Sequence, residues 1–182
     1  MDENDIVCWH WDHKEKRSVK GINVLSAFYV TKTKEGEPPL RLPIGYRVIT
    51  KTEKYIDKKD NKEKRKSTKT KNELMQEMIS SAITNRVKFG YILADSWFAS
   101  SDNMRFISKH SKIFVFEMKE NRLATLSEQS NKKATYQRLD QIQIPDKKPV
   151  AAWLKDVNIP ILLYKQRFFA RDTLSGNYSQ AR

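Results

Sequence analysis

The chain has 182 residues, with 35 Lys and Arg against 22 Asp and Glu, a formal net charge of +13. At 38% hydrophobic it can build a core, and its longest apolar stretches, such as Ile159–Tyr164, fall far short of the ~20 residues of a membrane span. The acidic start, Met1-Asp-Glu-Asn-Asp5, is unlike a secretory signal, and a single cysteine, Cys8, excludes a disulfide framework. A cytoplasmic protein of one domain or slightly more is expected, with no membrane partner, and its charge points to a polyanion.

Cys8-Trp-His-Trp-Asp-His13 reads as extended, with His10 and Asp12 on one strand face and His13 on the other. A zinc site needs three or four ligands, so a Trp/His ladder packed on a sheet accounts for this segment better than a metal cluster. Ile22–Val30 follows a turn at Lys20-Gly21 and reads as a buried strand, being apolar and rich in β-branched and aromatic residues. Glu35-Gly36-Glu37-Pro38-Pro39 is a turn signal, and Leu42, Ile44, Tyr46 and Val48 then alternate with other residues in a second strand. Together they predict an antiparallel hairpin.

From Lys51 to Lys71 there are ten Lys and Arg against four Asp and Glu, a net of +6 in 21 residues. With only Tyr55 and Ile56 apolar, this stretch is expected as an exposed loop or a frayed hairpin. Lys58, Lys59, Lys62, Lys64, Arg65, Lys66, Lys69 and Lys71 are the candidate nucleic-acid contacts, each able to release a counterion from a phosphate backbone. The alternative is a solvated surface loop.

Thr70 or Asn72 can cap a helix in which Leu74, Met75, Met78, Ile79, Ala82, Ile83 and Val87 share one face, ending at Lys88-Phe-Gly90. Tyr91–Ala94 reads as a short buried central strand that delivers Asp95 at its carboxyl end. A carboxylate there can ligate a metal, or it can cap the helix that follows or close the turn. Ser100-Ser-Asp102 opens a helix through His110, and Lys112–Met118 is a further strand. A hairpin followed by helix, strand, helix and strand predicts a mixed α/β sheet. Beyond Asn121-Arg122, short apolar pieces at Ala151–Leu154 and Ile159–Tyr164 predict a strand-rich region, and the stretch after Phe169 lacks core residues.

Asp2–His13 with Ser18–Asn23, Lys71–Leu74, Tyr91-Ile-Leu-Ala-Asp-Ser-Trp-Phe-Ala-Ser100 with Asn103–Ile107, and Phe116–Leu123 occur in a consistent order. They resemble bacterial insertion-sequence transposases of the DDE superfamily. The resemblance implies a ribonuclease-H-like fold, a mixed sheet with flanking helices and a β-rich insertion. It also implies three acids holding two Mg²⁺ ions for DNA strand cleavage and transfer. Only Asp95 maps onto that triad, as a catalytic residue and metal ligand; neither Asp5 nor Asp12 follows a buried strand.

The implied organisation is an incomplete core over residues 1–122, without its first strand and last catalytic helix. The start of the insertion follows over 123–170, then a frayed tail over 171–182. On that reading the chain is an internal transposase fragment, inactive alone, whose partners are DNA and a full-length transposase. The other reading is a non-catalytic basic DNA- or RNA-binding protein, or an inhibitor of such a transposase.

Overall fold

The computed structural model describes residues 3–12, 14–32, 34–126, 135–166, 169–171 and 178–180, and the chain divides into two compact units, Met1–Tyr91 and Ile92–Arg182. In the first unit, β1 (Cys8–Asp12) pairs antiparallel with β2 (Arg17–Gly21), so Lys20 lies in a strand rather than in a turn. Asp12 shapes the connection, its Oδ1 accepting the Lys14 and Glu15 amides at 2.8 and 3.0 Å.

β3 (Val24–Thr31) and β4 (Leu40–Val48) form the expected hairpin, joined through a turn in which Gly36 takes φ +85°. The register shifts between Ala27 and Phe28: Ala27 faces Gly45 while Phe28 faces Pro43, leaving Ile44 as the extra residue. Proline has no amide hydrogen to give to a ladder, and a bulge is where a strand tolerates one.

β5 (Glu53–Ile56) and β6 (Glu63–Lys66) form a second, short hairpin. Helix α1 (Lys71–Thr84) starts in a capping box: Thr70 Oγ1 accepts the Glu73 amide at 3.2 Å, and the Glu73 carboxylate accepts the Thr70 amide at 2.7 Å. Leu74, Met78, Ile79 and Ala82 are buried on its apolar face. A Cβ added to Gly45 would lie 3.8 Å from Met78 Cε, which places the helix over that side of the β3–β4 hairpin. The helix ends earlier than the apolar spacing predicts. Arg86 takes φ +58° while its amide donates to Ile83 O and the Val87 amide donates to Ala82 O, a left-handed stop made without glycine.

In the second unit, β7 (Tyr91–Ala94) pairs with β8 (Ile113–Phe116), and α2 (Ser101–Lys109) lies between them in sequence, its amino end capped by Ser100. The strand-rich texture after Asn121 becomes a four-stranded sheet. Its order is β10 (Gln137–Arg138), β9 (Leu123–Thr125), β11 (Val150–Leu154) and β12 (Pro160–Leu163), and each pairing in it is antiparallel. Met104, Ala124, Ala152, Leu154 and Val157 are fully buried in the core of this unit. β13 (Phe169–Arg171) pairs antiparallel with β14 (Tyr178–Gln180); the rest of the tail expected over 171–182 lies outside the described residues.

The ribonuclease-H-like architecture is therefore overturned. Among the described residues there are two α-helices, and the strands form small separate sheets in place of one mixed sheet. A central strand of an α/β sheet is buried on both faces. Here β3, β7 and β8 each alternate exposed and half-buried residues, so one face of each is open. Leu93, expected in a buried central strand, is 73% exposed. The apolar run of Ile22–Val30 is likewise covered on one side only, with Phe28 57% exposed. Among the described residues the strands pair mainly with near neighbours, and the largest sheet has four strands. Among the described residues, no helix is long and apolar enough to cross a membrane.

Candidate nucleic-acid interface

The basic stretch is a hairpin, with Glu53 opposite Lys66, Lys54 opposite Arg65, Tyr55 opposite Lys64 and Ile56 opposite Glu63. Its tip closes where the Asp57 amide donates to Lys62 O at 2.9 Å and the Asn61 amide donates to Asp57 O at 2.8 Å. Asn61 takes φ +51°, a conformation asparagine tolerates better than most residues. Asp57 Oδ1 accepts the Lys59 amide at 2.9 Å.

All four acids of the stretch are engaged. Glu53 pairs with Lys66 at 3.1 Å and Glu63 with Lys54 at 2.9 Å, while Asp57 and Asp60 hold Lys64 at 2.5 and 3.1 Å. The Lys64 hydrogen bond holds the Asp57 carboxyl below its usual range, and Asp57 and Asp60 in turn push the Lys64 ammonium up.

The candidate cations therefore separate into two groups. Lys64, Arg65, Lys66 and Lys69 are ion-paired, Lys69 with Glu77 at 2.5 Å and Arg65 with Asp5 and, at 4.0 Å, Glu3. Lys58, Lys59 and Lys62 stand exposed at the tip with no ion pair among the described residues. Lys71 is half-buried as the first residue of α1. Exposed ion pairs contribute little net energy and exchange readily for a phosphate, but the tip lysines need no exchange at all. Asp5 and Glu3 as partners of Arg65 were not legible in the sequence, since nothing local links positions so far apart.

Asp95 is exposed at the end of β7. Its Oδ1 accepts the Trp97 amide at 2.9 Å and so caps a single 3-10 turn, Ser96–Phe98. That turn is tied down behind it: Asn103, fully buried, donates from Nδ2 to Phe98 O at 2.9 Å. Arg122 adds bonds from its guanidinium to Ala99 O at 2.7 Å and Ser101 Oγ at 2.8 Å. Lys119 Nζ sits 5.7 Å from the centre of the Trp97 ring, within cation–π range.

Two Mg²⁺ ions need two or three converging carboxylates. Among the described residues no three His, Cys, Asp or Glu side chains come together as a metal site. Among the described residues, the donor set around Asp95 does not fit the pair of ions that the resemblance implies.

The Trp/His ladder is not packed as expected. Cys8 is fully buried and His10 half-buried, with Cys8 Sγ 3.4 Å from His10 Nε2 and Asn23 Nδ2 3.5 Å from His10 Nδ1. Burial pushes the Cys8 thiol up; burial, together with Lys51 and Lys71, pushes the His10 imidazole down. Both shifts favour the neutral forms, and a buried neutral thiol is a poor nucleophile. Trp9 and Trp11 occupy the other face of β1, as period-two alternation requires, and both are exposed. His13 lies outside the described residues.

No family model, curated protein or solved structure matches the chain.

Proposed function

We propose that the chain binds DNA along its phosphate backbone, without reading sequence, as a DNA-contacting polypeptide related to DDE-class transposases. The observation that carries this reading is the tip of the β5–β6 hairpin. Every acid of the hairpin is engaged, while Lys58, Lys59 and Lys62 are exposed and take part in no ion pair among the described residues. Converting these three lysines to glutamine removes about three phosphate contacts. The plot of log affinity for duplex DNA against log salt then flattens by roughly 2.7, at about 0.9 per contact. An unchanged slope and affinity overturn the reading.

A second reading, DNA strand cleavage, is favoured by the resemblance of the residues around Asp95 to the catalytic block of those transposases. One carboxylate supplies too few ligands to hold two ions in place, so the first reading assigns this chain binding without cleavage. A strand-nicking assay with Mg²⁺ or Mn²⁺ separates the two. Cleavage that disappears in Asp95→Asn favours the second, and its absence in the parent chain favours the first. On the first reading the chain also competes with a full-length transposase for DNA.

A further inference from the structure

Trp9 and Trp11 lie two residues apart on one face of β1, and they are 51% and 58% exposed. Lys20 faces Trp9 directly across the ribbon and Ser18 faces Trp11. Lys14 and Lys16, in the connection between the strands, are exposed as well. The opposite face of β1 is occupied by the Cys8–His10 contact, which fixes the side on which the indoles stand. Two large aromatic surfaces held in water and bordered by cations mark a surface that meets something both flat and anionic.

We propose that this ribbon is a stacking platform for single-stranded DNA, with bases laid on Trp9 and Trp11 and phosphates on Lys14, Lys16 and Lys20. Two strand residues rise about 6.6 Å, close to twice the ~3.4 Å axial spacing of stacked bases along each strand of a duplex. Successive indoles therefore suit alternate stacking positions along a nucleotide chain. A duplex hides its base faces and cannot use such a platform. A second copy of this chain is disfavoured, since the same face on both partners would set Lys14, Lys16 and Lys20 against like charges. The choice of DNA over RNA rests on the function proposed above; the stacking surface does not depend on the hairpin tip.

The test measures binding of a fluorescent oligothymidylate single strand and of a duplex, by anisotropy, to the full chain and its variants. Trp9→Ala with Trp11→Ala lowers single-strand affinity at least 25-fold, about five-fold or more per lost stacking contact. It leaves duplex affinity and the salt slope of single-strand binding unchanged. Trp9→Phe with Trp11→Phe restores most of the loss, and both variants melt like the parent because the indoles are exposed. Equal single-strand affinity in parent and alanine variant overturns the proposal. So does a parent dimer that the alanine variant dissolves, and tighter binding of the matching RNA strand overturns the assignment to DNA. The two proposals fail separately: the lysine-tip variant reads duplex salt dependence, the tryptophan variant single-strand stacking.

Discussion

Arg65, on the second strand of the basic hairpin, is ion-paired with Asp5, 60 residues earlier in the chain. The guanidinium also reaches Glu3 at 4.0 Å, and its side chain is only 22% exposed. On the proposed reading, these carboxylates occupy a guanidinium that a DNA phosphate could otherwise take. Asp5→Asn with Glu3→Gln frees Arg65 for DNA. Duplex affinity is expected to rise, and the salt slope to steepen by about one contact, roughly 0.9. Titrations at several salt concentrations check this; an unchanged slope means that Arg65 never reaches DNA.

His10 makes stability depend on pH. Burial, then Lys51 and Lys71, lower its pKa from 6.5, against a smaller opposing hydrogen bond to the Gly21 backbone, and Cys8 lies against its Nε2. The unfolded chain takes up the proton first as pH falls, so the stability due to neutral His10 is complete above ~6.5 and lost on going down towards the folded pKa. Thermal melts from about pH 7.5 to about pH 5.5 should show a falling midpoint, and His10→Gln should flatten that fall. A variant with the parent's pH profile would show that His10 is not the group responsible.

The capping box of α1 is worth measuring alone. Thr70 Oγ1 accepts the Glu73 amide and its own amide is bound by Glu73, so Thr70→Ala strips the side-chain half of the box. The expected cost is about 1 kcal/mol in urea unfolding of the full chain. Thr70→Ser should recover most of it.

Arg86 stands at a left-handed position that glycine occupies without strain. Arg86→Gly is expected to stabilise the chain by about 0.5–1 kcal/mol, the relief of strain outweighing the added freedom of the unfolded chain. Ser111 ends α2 in the same way at φ +55°, with its own amide donating to Ser108 O and the Lys112 amide donating to Ile107 O. Ser111→Gly is an internal repeat of the test. Urea midpoints that do not rise in either variant would refute the strain argument.

Much of the local structure was legible because its causes are local. Thr70 and Glu73 are three residues apart, Ser100 stands next to the helix it caps, and the Glu35-Gly36 turn joins the two strands it makes neighbours. Asp95 belongs here too: capping the turn that follows was one of its two readings, and the Trp97 amide lies two residues on. The architecture was not legible. The likeness of the Tyr91–Ser100 block to a catalytic core implied a shared sheet, yet Leu93 faces outward and, among the described residues, β7 pairs only with β8.

The sequence by itself determined where the charge lies, where α1 and α2 begin and that β3 and β4 form a hairpin, because those depend on side chains and backbone groups a few residues apart. The tertiary structure alone decided which faces stay open, that Asp5 holds Arg65, and that Trp9 and Trp11 face water. An apolar run has the same composition whether one face or two is covered, and a charge has the same sign whether or not a distant partner reaches it. Burial and pairing belong to what lies alongside, and only the folded chain supplies that.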